Sequence, residues 1–426
     1  MFHVENAGVK ELLLKGNIGL EKESLRVTTD GRMAQTPHPF DPMDPRITRD
    51  FCENQTEINT SVFSTAREAV ASVGEITGRV ERTLAKLPER EYLWPFSNPP
   101  YIENEEDIPI AVFEGDRSSK TAYRHYLANS YGRYKMAFCG IHYNFSFADE
   151  LLEEDFKLSG MDDFQEYKNQ VYLGLAEKAA EYGWILTAVT AASPILDGSF
   201  VQQGRRGQDA FFGMGSVRCS EMGYWNHFAP ILDYTNIRSY AASIQRYVDM
   251  GLLAAPTELY YPVRLKPRGL NDLRQLSVDG VEHIELRMFD LNPLTREGID
   301  ARDALFAQLF LVFLASTPRQ RFDAKSQVRA VQNFKNAARY DVELVRLLFP
   351  NGAAYTIADA GRIIIGQMKK FYSEESEEIQ EVLNFEESKF LRAENRYPHE
   401  IYRRFHEGYL EKGLALAREL QEAYCV

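Results

Sequence analysis

From about residue 16 to residue 295, segments that alternate with period two are interleaved with segments of helical spacing, and the remainder is mostly helical. In GNIGLEKESLRVTTDGR (residues 16–32), Gly19, Glu21, Glu23 and Leu25 share one side of a strand and Leu20, Lys22 and Ser24 the other. Four more segments alternate similarly. In DFCENQTEINT, Glu53, Gln55 and Glu57 oppose Thr56 and Ile58; in FCGIHYNFSF, His142, Asn144 and Ser146 oppose Ile141, Tyr143, Phe145 and Phe147. In TELYYPVRLKP, Glu258, Tyr260, Arg264 and Lys266 oppose Leu259, Tyr261, Val263 and Leu265. In VEHIELRMFDLNP, His283, Glu285 and Arg287 oppose Ile284, Leu286 and Met288.

Apolar residues at helical spacing predict helices in STAREAVASVGEITGRVERTLAKL, capped by Ser64, and in DDFQEYKNQVYLGLAEKAAEYGW, YTNIRSYAASIQRYVDMGLL and REGIDARDALFAQLFLVFLAS. Several amphipathic helices follow from Lys325, ending in HEIYRRFHEGYLEKGLALARELQEAY. The Pro-rich pieces PHPFDPMDP and WPFSNPPYIENEEDIP read as loops, since Pro fixes φ and lacks a donor. With no repeat, low-complexity tract or clear linker, one domain over 1–426 is expected, with a sheet region at about 16–300 and a helical layer at about 300–426.

Composition adds limits rather than a function. At 426 residues, 44% hydrophobic and 26% charged, the chain can bury a sizeable core. A net charge of −13 argues against nucleic acid or an anionic membrane as partner. The longest apolar run, ALFAQLFLVFLA, has 12 residues and reads as a buried helix. The N-terminus lacks the basic-then-apolar order of a signal peptide. The four cysteines form no C-x-x-C pair, so reduced thiols in the cytoplasm are expected.

The polar faces change the picture. Taken alone, E-x-E reads as the solvated face of an edge strand, and an antiparallel sheet backed by helices shows such alternation without any function. Solvent faces are usually rich in Lys and Thr, whereas these carry Glu, His, Asn, Arg and Tyr. If they converge, at least four carboxylates share one basin and cannot all ionise without cations. Carboxylates with one imidazole suit Mg²⁺ or Mn²⁺, with nucleotide phosphates completing the shells and Arg264, Lys266 and Arg287 as charge clamps. There is no G-x-x-x-x-G-K-[ST], and no G-x-G-x-x-G after a strand. Metal-dependent phosphoryl transfer outside the P-loop class therefore leads, with a metallohydrolase, a binding protein and a purely structural sheet left open.

The segments GLEKESLRV, DFCENQTEI, YRHYLANSYGR, GIHYNFSF, ASPIL, SVRCSEMGYWN, ELYYPVRLKP and IELRMFDLNP follow the order seen in bacterial glutamate–cysteine ligases. The chain resembles this family from about residue 16 to 300, most of all the ligase portion of bifunctional glutathione synthetases, which share QTPHP and EYLWP. The resemblance implies an α+β, glutamine-synthetase-like fold: a curved, mainly antiparallel sheet with ligands on its concave face and helices behind. It implies metal ligation by Glu21, Glu23, Asp50, Glu57, His142 and Glu285, and catalytic roles for Glu285 and for Arg287, which stabilises the transferring phosphoryl group. Phe51, Tyr123, Leu127, Met136, Tyr224 and Tyr260 match positions around a cysteine pocket, and Arg124 and Arg218 match arginines near substrate carboxylates. The implied reaction joins the glutamate γ-carboxylate to an amine through γ-glutamyl phosphate, with ATP as co-substrate, two or three Mg²⁺ or Mn²⁺ ions and small molecules as the only partners. A cytoplasmic monomer without the glutathione-forming module is expected.

Three departures bear on the acceptor. Relatives usually carry Gln where this chain has Met136, Ser-Ile-Ser-Gly where it has Ala137-Phe138-Cys139-Gly140, and L-E-x-I-T-P where it has residues 56–61, TEINTS. The metal-ligand positions survive all three, so activation of a carboxylate is implied with cysteine or another amine as acceptor. A degenerate fold that binds without ligating is the third reading. His125, His227 and His283 read as surface or hydrogen-bonded residues, and Cys52 and Cys139 as small packed side chains or redox-sensitive thiols. The GRRG at 204–207 reads as a mobile loop, with a role over ATP as the alternative.

Overall fold

A computed structural model describes residues 1–205, 209–223, 225–269 and 272–425. Its principal sheet has seven strands: β1 (Gly16–Thr28), β2 (Ile47–Arg49), β3 (Gln55–Asn59), β4 (Glu91–Leu93), β5 (Ile141–Phe147), β6 (Val263–Lys266) and β7 (His283–Phe289). They run in the order β2-β3-β1-β5-β7-β6, with β4 on the far half of β1, and every pairing is antiparallel. β1 is therefore interior, not the edge strand that its E-x-E suggested alone.

One face is apolar for the reason the alternation gives. Ile18 and Leu20 of β1, Ile58 of β3, Tyr143 and Phe145 of β5, Leu265 of β6 and Ile284 and Leu286 of β7 are all buried on it. Helix α1 (Ala66–Leu84) packs behind β1 and β3, and α2 (Ser118–Tyr131) leads toward β5. Helix α3 (Phe164–Tyr182) packs behind β6 and β7, and the helix Trp184–Thr190 behind β7. The apolar run forms α4 (Ala301–Ala315), which packs on α1, α3 and α5 (Glu377–Leu391) and is buried around nearly its whole circumference. Among the described residues no helix is long and apolar enough to cross a membrane.

Local chemistry sets the boundaries. Thr65, not Ser64, caps α1, its hydroxyl accepting from the Glu68 N–H. The final predicted helix divides into Tyr397–Phe405 and α6 (Tyr409–Cys425), because Gly408 turns the chain at φ 126° and Asp209 accepts from the Gly408 and Tyr409 N–H groups. Pro256 opens a 3₁₀ turn at Pro256–Glu258, so β6 begins only at Val263. That removes Glu258 from the polar face. It is buried, accepting from Tyr131 Oη at 2.7 Å and from the Ala254 N–H at 2.5 Å. Glu53 also leaves the face, since it precedes β3 and pairs with Arg49 at 2.9 Å.

Candidate active site

Strand register assembles the site. Glu21 stands opposite Asn59 on one side and His142 on the other, and Glu23 stands opposite Glu57. Glu285 stands between Asn144 and Arg264, with His283 opposite Lys266. These side chains share the sheet face turned from the backing helices α1 and α3. At its centre His142 Nδ1 lies 3.0 Å from Glu21 Oε2 and 3.7 Å from Glu285 Oε1, and Nε2 lies 3.8 Å from Glu23 Oε1. Asn144 Nδ2 donates to Glu21 Oε1 at 3.0 Å, the Gly140 N–H to Glu23 Oε2 at 3.2 Å, and Asn59 Nδ2 to Glu57 Oε1 at 3.3 Å. On the opposite face of β1, Lys22 is buried with Nζ 3.3 Å from Thr77 Oγ1.

A cleft of about 500 Å³ opens over this face. Its charged wall holds Glu21, Glu23, Asp50, Glu57, His142 and Glu285 together with Arg124, Arg264, Lys266 and Arg287. Its less polar wall holds Phe51, Tyr123, Leu127, Met136 and Tyr260. Of the other residues singled out from the sequence, Tyr224 lies outside the described residues, as do Arg206 and Gly207 of the GRRG stretch. Arg218 is not among the residues that line this cleft. It is 5% exposed, and Nη1 donates to the carbonyls of Arg287 and Phe289 at 3.0 and 3.3 Å. Behind the cleft it lines a smaller cavity that shares Tyr260 and Arg287 with it. Cys52 and Cys139 are buried, and burial pushes both thiols well up. His125 is exposed, and His227 stacks on Tyr131.

The sequence reading missed Lys120 and Thr257, which also line the cleft, while Phe138 of the altered 137–140 segment reaches it as well. Lys120 was legible: it precedes Tyr123, Arg124 and Leu127 by three, four and seven positions on α2, the spacing of one helix face.

Crowding of like charge shows in the protonation equilibria. Burial, then the charges of Asp50, Glu21 and Glu23, pushes the Glu57 carboxyl up to about 8. Burial also raises Glu23. Burial works the same way on Glu285, but Lys266, Arg287 and His142 outweigh it and hold that carboxyl well below the usual range. Lys266 Nζ is 3.2 Å from Glu285 Oε1, and Arg287 Nη1 is 3.4 Å from Oε2. Burial lowers Lys266 and Arg264 in turn.

The donor set fits divalent cations. Ligand atoms of Glu21, His142 and Glu285 lie within 4.8 Å of one another. His142 Nε2 is buried without a hydrogen-bond partner, as an imidazole kept for a ligand would be. Oxygen donors with one nitrogen suit a hard ion, and its charge offsets the burial and the like-charge repulsion that raise Glu57 and Glu23.

Comparison with known proteins gives a consistent placement. The glutamate-cysteine ligase family profile matches residues 1–252 and 229–337. A bifunctional glutathione biosynthesis protein of Listeria monocytogenes serotype 4b is 32% identical over 434 residues, covering 98% of this chain and 56% of that protein. The corresponding protein of Clostridium perfringens is 30% identical, covering 98% and 55%. The chain thus spans about half the length of these curated relatives. Among solved structures, a bifunctional glutathione synthetase from Pasteurella multocida superposes with a TM-score of 0.85 at 27% identity, covering 99% of this chain and 54% of that one. A glutamate–cysteine ligase from Francisella tularensis, solved with AMP, gives 0.85 at 21% identity over 96% and 89% of the two chains, a likeness of fold.

Proposed function

Because the chain belongs to the glutamate–cysteine ligase family, we propose that it is an ATP- and Mg²⁺-dependent ligase joining the γ-carboxylate of glutamate to the amine of cysteine, yielding γ-glutamylcysteine, ADP and phosphate. The observation that carries this reading is the single polar face on which five carboxylates and His142 meet Arg264, Lys266 and Arg287 beside an apolar wall. Carboxylates beside cations are what a triphosphate with its metal ions requires, and the apolar wall suits a small side chain.

In this reading the glutamate γ-carboxylate attacks the γ-phosphate of ATP, giving γ-glutamyl phosphate and ADP, and the acceptor amine then displaces phosphate. Glu21, Glu23, Asp50, Glu57, His142 and Glu285 hold two or three divalent ions, with Mg²⁺ or Mn²⁺ as candidates. Bound there, the ions supply charge neutralisation on the phosphates. Arg264, Lys266 and Arg287 bind the phosphate oxygens, and Arg287 faces the charge that develops during transfer. Glu285 keeps Lys266 and Arg287 in register through its two short ion pairs. Lys120, Tyr123, Arg124 and Leu127 of α2 cover the cleft from one side and restrict water's access to the acyl phosphate. Cysteine thiols without a disulfide among the described residues, and ATP as co-substrate, favour a cytoplasmic setting.

A second acceptor is favoured by one observation. Met136 presents a thioether 4.0 Å from the Tyr260 hydroxyl, at the position where relatives usually carry Gln. A thioether there, accepting weakly from the Tyr260 hydroxyl, in place of an amide suits 2-aminobutyrate or alanine as well as cysteine, and distinguishing them is worth about 1–3 kcal/mol. The test is ADP release with glutamate, ATP and Mg²⁺ against cysteine, 2-aminobutyrate, alanine, glycine and alkylamines, each product identified by mass. Preference for cysteine supports the reading. Preference for another amine assigns the specificity to the Met136 wall, and no turnover in folded protein overturns ligation to these acceptors.

A further inference from the structure

β7 carries a bulge at the most sensitive point of the site. Ile141 pairs with Phe289 but Tyr143 pairs with Leu286, so β7 spends one extra residue opposite His142, where Arg287 leaves the strand for the cleft. The bulge takes carbonyls out of the regular ladder, and buried carbonyls need donors. One turn supplies donors to three of them. Arg218 Nη1 donates to the Arg287 and Phe289 carbonyls at 3.0 and 3.3 Å, and the Cys219 thiol donates to the Met288 carbonyl at 3.3 Å.

That turn is fixed from below by Asp290, which follows the bulge directly. Asp290 Oδ1 accepts from Ser216 Oγ at 2.8 Å, while Oδ2 accepts from Ser193 Oγ at 2.7 Å and the Ala192 N–H at 2.8 Å. Ser216 Oγ in turn accepts from the Cys219 N–H at 3.0 Å, so the carboxylate sets the turn that carries Arg218 and Cys219. On its other side the Arg218 guanidinium lies on Gly140. A Cβ there would stand 2.1 Å from Arg218 Cζ, so only glycine admits the guanidinium. The Gly140 peptide is the one whose N–H donates to Glu23 Oε2 and whose carbonyl accepts from the Glu23 N–H at 3.0 Å.

We infer that Arg218 and Asp290 are positioning residues: through the β7 bulge and the Gly140 peptide they fix the phosphate-facing Arg287 relative to the metal-facing Glu23. The inference rests on the ligase reading for what Arg287 and Glu23 bind. It explains why Arg218 has its guanidinium on main-chain atoms, behind the cleft rather than in it.

Gly140→Ala tests it, because the obstructing atoms are the far end of a flexible side chain: Arg218 must move, while the backbone need not. Mn²⁺ binding is measured without substrates by electron paramagnetic resonance, beside melting temperature and steady-state kinetics. Arg218→Lys and Asp290→Asn follow, with Lys389→Met in the distant helical layer as a control for general destabilisation. We expect Gly140→Ala to remain folded and its Mn²⁺ dissociation constant to rise about tenfold or more, the range for residues that support metal ligands. Arg218→Lys and Asp290→Asn shift the same way, whereas Lys389→Met loses stability without that rise. An Mn²⁺ constant within twofold of wild type in Gly140→Ala and Arg218→Lys overturns the inference. So does a change confined to the KM for glutamate, which would make Arg218 a substrate contact. Absence of Mn²⁺ binding by the wild type overturns the ligase reading instead, and this inference with it.

Discussion

Glu285→Gln isolates the charge on which the site's electrostatics turn. The carboxylate is 1% exposed and stands 3.2 Å from Lys266 Nζ and 3.4 Å from Arg287 Nη1. At an effective dielectric of about 20, each contact is worth about 5 kcal/mol of Coulomb energy before desolvation is subtracted. Glutamine keeps the volume and the β7 strand position but removes both attractions and one metal-facing oxygen charge. Water in the cleft re-solvates the two cations, so the stability loss is expected to stay near 2 kcal/mol, below that of a broken pair in a closed core. Catalysis is more exposed: loss of one electrostatic contact in a reacting centre costs about 10²–10³-fold, and loss of a metal ligand as well takes the expected fall in kcat to about 10³-fold or more, roughly 4 kcal/mol. The assay is coupled ADP release at saturating substrates, with near-ultraviolet circular dichroism to establish folding and Mn²⁺ titration to read the metal site. A folded Glu285→Gln protein with kcat within tenfold of wild type refutes the assignment of Glu285.

Stability should also respond to pH in a metal-dependent way. Glu57 sits at about 8 in the metal-free fold against 4.5 for an ordinary glutamate, so the folded state holds an extra proton between those values, and stability falls as pH rises through that window. Melting temperatures from pH 5 to 9 should therefore drop more steeply in chelator than in saturating Mg²⁺; parallel curves would contradict the crowding of Glu57 by Asp50, Glu21 and Glu23. Met136→Gln restores an amide to the apolar wall, and the ratio of kcat/KM for cysteine over 2-aminobutyrate should shift by about 5- to 150-fold, or 1–3 kcal/mol. An unchanged ratio would remove Met136 from the determinants of specificity.

Much of the site was legible because β1 and β5 alternate regularly and Glu285 and Arg287, two positions apart, still reach one face although β7 bulges between Leu286 and Phe289, so period two brought Glu21, Glu23, His142, Glu285 and Arg287 together. The errors arose where backbone chemistry breaks the period. Pro256 and Pro262 keep residues 256–262 out of the sheet, so Glu258 became a buried acceptor for Tyr131 while Tyr260, Arg264 and Lys266 still reached the cleft. Glu53 lies before β3, where alternation does not yet apply, and its carboxylate pairs with Arg49. Strand position within a sheet is a long-range property, so nothing in residues 16–32 could show that β1 is interior. Arg218 could not be placed behind the cleft from its motif, because what holds it there is a bulge in β7 and the missing Cβ of Gly140, just before β5.

The central claim is that ATP activates the γ-carboxylate of glutamate before an amine displaces phosphate. The most direct measurement uses glutamate labelled with ¹⁸O in that carboxylate, together with ATP, Mg²⁺ and cysteine, and weighs both products. The account predicts γ-glutamylcysteine with one ¹⁸O transferred to inorganic phosphate for each peptide formed. Peptide formed with no label in phosphate would contradict the acyl-phosphate route, and ADP release without peptide would contradict ligation to cysteine.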